Sequence, residues 1–281
     1  MINVINDKIP SGIADFDIII GGGFPKGSSI LLLGEHGSGY REFAITSAAR
    51  LLLSAKNPRM KRFILGHDID QKVLPSMIAY ISFTSPREVV LEEINLSFND
   101  EYYRILNSNM LFADLSNIYF RHTIVPSKWS NENLLEALAD NNDNKKPLEV
   151  LVSFLEKYGK QNLVIIDSLS DLLYSKSVDM DDLLILLKGI RRISKAWKGI
   201  IYFTMTDRIV NEEKINIIKD CFDGVIKFEW LKNYKTSKRQ RTMYIEKFMP
   251  LLVHANEMRI SRFAIDITSI NGLVVSNYER V

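Results

Sequence analysis

Short apolar runs rich in β-branched residues alternate along most of the chain with longer segments whose apolar residues recur every three or four positions. The short runs predict buried strands at 29–33, 79–83, 119–125, 163–167 and 200–205. The longer segments predict amphipathic helices at 42–55, 86–96, 133–139, 148–158, 181–197 and 212–222. Strands that alternate with helices are typical of crossover units. We therefore expect a doubly wound α/β fold with a mainly parallel central sheet and helices on both faces.

The pattern changes after Gly224, where strand-like runs follow one another directly. They lie at 225–231, 242–248, 262–267 and 273–275, and they predict a C-terminal antiparallel extension of the sheet. No repeat, low-complexity segment or linker divides the chain, so we expect a single domain over 1–281. The irregular stretch 57–75 contains one His and two Asp. A loop with so few ligands does not define a coordination geometry, so a surface insertion is favoured over a metal site.

Composition and charge narrow the class of protein. The 281 residues are 46% hydrophobic and 25% charged, which is ordinary for a globular protein and excludes disordered and fibrous chains. The formal net charge of +2 gives no global attraction to nucleic acid or to an anionic membrane. No apolar run approaches the roughly 20 residues of a membrane-spanning helix. Cys221 is the single cysteine and no leader pattern is visible, so we expect a cytoplasmic protein without a membrane partner.

A glycine-rich segment between the first predicted strand and the first predicted helix carries the clearest chemical signal. Its residues are Gly34, Glu35, His36, Gly37, Ser38, Gly39, Tyr40 and Arg41. A strand, a glycine loop and a helix in this order are the context of a P-loop, whose backbone N–H groups bind nucleotide phosphates, although a tight turn between strand and helix has the same pattern. The seventh position is normally a Lys for the outer phosphates and the eighth a Ser or Thr for magnesium. Here Tyr40 and Arg41 replace them, so the motif is degenerate.

The segments on both sides of this loop resemble the KaiC-like and RadA-like branch of the RecA-fold P-loop ATPases. The similar segments are the entry 9–17, the glycine turn and Lys-Gly-Ser of 21–28, the strand 163–168, the strand 200–206, the hairpin start 222–226, the return strand 241–249 and the closing strands 263–275. The resemblance implies a RecA-like fold, ATP and Mg as cofactors, and Asp167 as the Walker B carboxylate that orders the metal. It also implies a homo-oligomer, or an assembly with a related active subunit.

The chain departs from this family at the positions that perform catalysis. A working relative has a Glu at the end of the strand after the P-loop helix, where this chain has Ser-Phe-Thr-Ser at 82–85, and we expect Glu88, Glu92 and Glu93 on the solvated face of the next helix. The family's return strand carries a Lys and an Arg that reach a neighbouring subunit. This chain keeps Lys247, which the resemblance implies is a subunit-interface residue, but has Met249.

These losses favour a catalytically impaired nucleotide-binding, scaffold or regulatory subunit. Losing a preorganised donor or a general base costs roughly 10² to 10⁴ in rate, whereas a lost charge-assisted hydrogen bond costs only roughly 10- to 150-fold in affinity. No catalytic residue is assigned, and ATP binding is expected to be weak. Arg41 either supplies positive charge near the phosphates or points to solvent.

Two alternatives stay open. The first is a slow ATPase that recruits Lys26, Lys247 or a partner's charge in place of the missing Lys. The second is a nucleic-acid-binding paralogue, because basic residues alternate with aromatic ones around 232–241 and such clusters bind single strands. The residues are Lys232, Lys235, Lys238, Arg239 and Arg241, with Trp230, Tyr234 and Tyr244.

Overall fold

The computed structural model describes residues 8–59, 61–66, 69–121, 123–126, 129, 146–232 and 239–280. The strands in these ranges are β1 (Lys8–Ile9), β2 (Phe24–Pro25), β3 (Ser28–Gly34), β4 (Ile78–Ser82), β5 (Met110–Asp114), β6 (Leu163–Asp167), β7 (Ile200–Thr206), β8 (Gly224–Lys232), β9 (Arg239–Lys247), β10 (Ile260–Thr268) and β11 (Gly272–Arg280). The α-helices are α1 (Ala14–Ile19), α2 (Tyr40–Lys56), α3 (Lys61–Leu65), α4 (Arg87–Ser97), α5 (Asp100–Asn109), α6 (Ser116–Phe120), α7 (Pro147–Tyr158), α8 (Leu169–Tyr174), α9 (Met180–Trp197), α10 (Glu212–Asp220) and α11 (Met249–Glu257). None of these helices is long and apolar enough to cross a membrane.

Nine strands form one sheet in the order β11-β10-β9-β8-β3-β7-β6-β4-β5. The strands from β8 to β5 run parallel, whereas β9, β10 and β11 extend the sheet antiparallel beyond β8. β3 lies near the middle, and all of its residues are buried. The predicted fold class is confirmed, including the antiparallel end. Because parallel strands finish at the same edge, the segments after β3, β4, β6 and β7 meet there.

Alternate residues of the central strands pack into two hydrophobic cores, one on each face of the sheet. Ile30 and Leu32 of β3 belong to the core under α2, α4 and α5, whereas Leu31 and Leu33 belong to the core under α7, α9 and α10. Strands buried on both faces are near-continuous apolar runs, which is why the sequence pattern located them.

The predicted strand 119–125 is wrong. Residues Ser116–Phe120 form α6, and the strand lies earlier, at Met110–Asp114, where it pairs with β4 at the edge of the sheet. Tyr119 and Phe120 favour strands by composition, but Tyr119 instead packs against Phe83 and Phe120. Tertiary packing therefore overrides local propensity. The sequence pattern does not predict α5 and α11, or the short helices α1, α3, α6 and α8. The predicted helix 133–139 falls outside the described residues.

The stretch 57–75 is more ordered than a simple surface insertion. It contains α3 and a 3₁₀ turn at Gln71–Val73, and Leu65, Val73 and Leu74 are buried. His67 and Asp68 fall outside the described residues. Within the described part of the chain, no group of three or more His, Cys, Asp or Glu side chains could hold a metal ion.

The buried carboxylate of Asp17 fixes the segment between β1 and α1. Asp17 is fully buried and accepts hydrogen bonds from the backbone N–H groups of Ser11, at 2.7 Å, and Gly12, at 3.2 Å. Burial raises the pKa of Asp17 from its ordinary value of 3.8 to about 7, although these hydrogen bonds and the charge of Arg50 oppose the shift.

Candidate nucleotide-binding site

The glycine loop leaves the end of β3 and enters α2 at Tyr40. Gly39 precedes the helix with φ +111°, a conformation that favours glycine, and a Cβ there would lie 3.2 Å from Ile265 of β10. The first N–H groups of α2 have no partner within the helix, and the positive end of its dipole points at the loop. The strand, glycine loop and helix predicted for residues 34–41 are therefore present, and anion binding by this backbone stays a prediction.

Tyr40 is the first residue of α2 and stands at the position of the missing Lys. Its side chain is buried, and its ring lies so close to the loop that a Cβ on Gly34 would approach Cδ1 to 2.4 Å. Its hydroxyl shares a hydrogen bond of 3.2 Å with Oγ1 of Thr206 at the end of β7. Burial raises the pKa of the Tyr40 phenol. Tyr40 therefore stays neutral and brings no positive charge to the outer phosphates.

Arg41 forms ion pairs with two carboxylates from other elements. Its Nε and Nη2 lie 3.2 and 3.1 Å from Oδ2 of Asp167, at the end of β6, and Nη2 lies 3.2 Å from Oε2 of Glu93 on α4. Tyr80 of β4 also donates to Oδ2 of Asp167, and the Thr204 hydroxyl donates to Oδ1 at 2.8 Å. Arg41 is therefore only partly exposed to solvent, and its guanidinium is held by two carboxylates rather than free over the loop.

The groups around Arg41 stabilise the charged form of its guanidinium. Burial works against the charge of Arg41, but Asp167, Tyr80 and Glu93 together raise its pKa above the ordinary value. Burial also raises the pKa of Tyr80. Its hydroxyl therefore stays protonated and donates a hydrogen bond to Asp167. The cluster of Arg41, Asp167 and Glu93 carries one positive and two negative charges.

The side chains as they stand do not fit a magnesium ion. Both carboxylate oxygens of Asp167 accept hydrogen bonds, and the guanidinium of Arg41 lies against Oδ2. Position eight of a P-loop that binds magnesium is a Ser or Thr with an uncharged hydroxyl, whereas this chain has the cation Arg41 there. The predicted role of Asp167 in ordering magnesium stays a prediction, and this geometry favours an internal ion pair in its place.

The end of β4 supplies no carboxylate next to the loop. Ser82 pairs with Asp167 in the sheet register, and its Oγ accepts the backbone N–H of Ser85 at 3.0 Å. Phe83 is fully buried, and its N–H bonds to the carbonyl of Asp167. At the position of the family's catalytic Glu, this chain thus has a short turn that the Ser82 hydroxyl stabilises by accepting the N–H of Ser85.

Lys247 lies away from the loop within its own chain. In the sheet it pairs with Val225, which is level with Leu31, three residues and about 10 Å before Gly34. Its Nζ bonds to the carbonyl of Lys219 at 2.9 Å and lies 3.4 Å from Asp220 at the end of α10. Lys247 therefore caps a helix here, and its role at a subunit interface stays a prediction.

The antiparallel pair of β8 and β9, named the terminal hairpin, contacts the glycine loop. Trp230 of β8 donates its indole N–H to the carbonyl of His36 at 3.1 Å, and Nε of Arg241 of β9 donates to the carbonyl of Gly37 at 2.9 Å. The guanidinium of Arg241 stacks on Trp230, 4.4 Å from the ring centroid. Arg262 covers Tyr244 in the same way, at 5.0 Å.

These contacts bear on the predicted nucleic-acid surface. The two aromatic side chains that the structure describes, Trp230 and Tyr244, each have an arginine over one ring face, which leaves less surface for base stacking. Residues 233–238, and with them Tyr234, Lys235 and Lys238, fall outside the described residues. Nucleic-acid binding stays a prediction.

A pocket of about 340 Å³ opens beside the N-terminus of α2. Its apolar lining comes from α2, α4 and Phe98, and its charged lining includes Arg41 and Glu93. The lining residues are His36, Gly37, Tyr40, Arg41, Glu42, Ile45, Val90, Glu93, Ile94, Ser97 and Phe98.

Sequence reasoning missed several side chains of the site. Glu93 lies on the exposed face of α4, as expected, but it also pairs with Arg41. The sequence pattern does not connect Tyr80 with Asp167, or Trp230 with the glycine loop. The helical spacing of Glu93 does not reveal which face of α4 meets α2, and no local signal marks Tyr80 or Trp230.

The sheet order, the glycine loop between β3 and α2 and the aspartate that ends β6 define the class of protein. The chain has the RecA-like fold of P-loop ATPases. A KaiC-like protein from the hyperthermophilic archaeon Pyrococcus horikoshii is similar, with 17% identity and a TM-score of 0.59, over 96% of this chain and 99% of that chain. The flagellar accessory protein FlaH from Methanocaldococcus jannaschii is similar with 21% identity and a TM-score of 0.61, over 94% and 95% of the two chains.

No protein-family model and no curated protein matches the sequence. Identities of 17% and 21% establish the shared fold alone. The resemblance to KaiC-like RecA-fold proteins is therefore confirmed for the fold, and function has to be argued from the site.

Proposed function

We propose that this chain is a catalytically impaired KaiC-like subunit that binds nucleotide phosphates weakly, without magnesium, and acts as a scaffold or regulatory component. One observation carries the proposal: Arg41 forms ion pairs with Asp167 and Glu93 where a working relative would order its metal. An arginine is always charged at physiological pH, so this cation is permanent and does not depend on the supply of metal.

Turnover requires groups that this site lacks. The position of the general base holds the turn of Ser82 and Ser85, and Tyr40 replaces the Lys that neutralises charge on the transferred phosphate. Each loss alone costs roughly 10² to 10⁴ in rate, and the effects need not add fully. The expected result is turnover below about one per minute, against typical enzyme rates of roughly 1 to 10³ per second.

Weak phosphate binding is supported by the backbone. Gly37 and Gly39 both have positive φ, and the N-terminus of α2 supplies donors that do not depend on the lost Lys. The side chains oppose tight binding, because Arg41 is shared between two carboxylates. We therefore place the affinity for ATP about 10- to 150-fold below that of a site with its Lys.

The test combines phosphate release with titration of ATP in EDTA and in excess magnesium. We expect no release above a blank, and an ATP affinity that magnesium leaves within twofold. The variant Tyr40→Lys with Arg41→Thr restores the usual side chains of positions seven and eight. It should gain magnesium-dependent ATP affinity without gaining turnover, because the base is still missing.

Asp167→Ala separates this proposal from the slow-ATPase alternative. A steady wild-type rate near one per minute that disappears in Asp167→Ala would contradict the proposal and support a slow ATPase. Salt-dependent binding of single-stranded DNA, without binding of ATP, would instead favour the nucleic-acid alternative.

A further inference from the structure

The geometry points to Trp230 and Arg241 as positioning residues that set the conformation of the glycine loop and couple it to the terminal hairpin. This inference deepens the proposed function, because it concerns how the anion-binding backbone of that site is held. Its starting point is the sheet register, in which Phe228 of β8 is level with Gly34 at the end of β3. Trp230 lies two residues further along β8, so its side chain extends past the end of β3 to the loop.

The two donors act on consecutive peptide groups. In a trans peptide the C=O of one residue and the N–H of the next point in opposite directions. Holding the His36 carbonyl toward Trp230 therefore directs the Gly37 N–H to the opposite side of the loop backbone. Holding the Gly37 carbonyl toward Arg241 does the same for the Ser38 N–H, which bonds to the carbonyl of Glu35 at 3.0 Å.

The two side chains also stabilise one another. The stacked guanidinium of Arg241 restrains the Trp230 ring, and a Cβ on Gly37 would lie 3.8 Å from that ring. Gly39 lies against β10 and β11, because a Cβ on it would be 3.2 to 3.4 Å from Ile265, Ile267 and Leu273. The strands β8 to β11 thus contact the loop at His36, Gly37 and Gly39.

This arrangement offers a physical replacement for the missing Lys. A loop of three glycines is costly to order, and Tyr40 has no cation with which to hold the loop carbonyls. Trp230 and Arg241 bind two of these carbonyls from outside, so the loop is ordered before any anion arrives. Because coupling is reciprocal, a ligand on the hairpin and an anion in the loop should each change the affinity for the other.

The first experiment measures amide exchange of residues 35–39 in the ligand-free full chain. Trp230→Phe removes one hydrogen bond but keeps an aromatic ring, and Arg241→Lys keeps the charge but loses the planar stack. Each should raise exchange at Ser38, whose N–H bonds to the carbonyl of Glu35, about fivefold to tenfold. Arg262→Lys is the matched control, because Arg262 stacks on Tyr244 and pairs with Glu229 in the same sheet; it should leave the Ser38 amide within twofold of wild type.

The second experiment titrates inorganic pyrophosphate in EDTA and follows tryptophan fluorescence. Trp230→Phe should weaken the affinity about fivefold to tenfold and abolish the anion-induced change in emission, whereas Arg262→Lys should do neither. Loop exchange within twofold of wild type in both hairpin variants overturns the inference. Faster loop exchange in a protein that binds no pyrophosphate supports the positioning role and counts against the anion site, so the two failures are distinguishable.

Discussion

The ion pair between Arg41 and Asp167 predicts a measurable coupling in protein that contains neither metal nor nucleotide. If Arg41 takes the place of a metal, its contact with Asp167 stabilises the folded state at all times. If Asp167 is instead kept for magnesium, removing Arg41 from metal-free protein should have little effect. A double-mutant cycle with Arg41→Met and Asp167→Asn separates the two cases.

The expected magnitude follows from the geometry. Hydrogen bonds to charged groups contribute about 1.5 to 3 kcal/mol, whereas exposed ion pairs contribute about 1 kcal/mol or less. The Asp167 side chain is 13% exposed and the Arg41 side chain 42% exposed, so the pair lies between these limits. We therefore expect a coupling free energy of about 1 to 2 kcal/mol after allowance for solvent screening.

The assay is urea unfolding in EDTA for wild type, both single variants and the double variant. Arg104 and Asp100 provide a control cycle, because they form a 2.8 Å pair one helical turn apart with both side chains about three quarters exposed. That pair should give about 0.3 to 0.5 kcal/mol. Millimolar magnesium should stabilise Arg41→Met but not wild type. A coupling for Arg41 and Asp167 equal to that of the control would refute the reasoning.

Two further predictions concern stability and assembly. Because burial raises the pKa of Asp17 from 3.8 to about 7, the folded state binds a proton that the unfolded state releases between these values. The stability from this proton is complete below about pH 4 and is lost as the pH rises through 7. Urea unfolding should show a loss of about 2 to 3 kcal/mol between pH 5 and pH 8 in wild type relative to Asp17→Asn, and parallel pH profiles would show that Asp17 titrates normally. For assembly, we expect sedimentation velocity to show self-association or co-sedimentation with a related RecA-fold subunit; a monomer at all concentrations and with every such partner would contradict this.

The parts of this fold that the sequence could predict are those with a local physical signal. Leu163–Asp167 and Ile200–Thr206 are buried on both faces, so their apolar runs alone mark them as strands. The glycine loop could be located because Gly37 and Gly39 adopt positive φ, which few other residues tolerate. The edge strand Met110–Asp114 has the weaker signal of a strand paired on one side only, and the prediction placed it too late in the chain.

The chemistry of the site was decided by contacts between residues far apart in the chain. The sequence by itself determined that Tyr40 and Arg41 stand where a Lys and a Ser or Thr normally act, and that Asp167 ends a strand. It did not determine that Arg41 lies between Asp167 and Glu93, which are 126 and 52 residues away, or that Arg241 reaches the carbonyl of Gly37 across 204 residues. These partners depend on which strands lie side by side and on which helix face meets the loop. A helical or strand period reports only which side of an element is apolar, so the identity of the residue opposite a charge is a property of the tertiary structure.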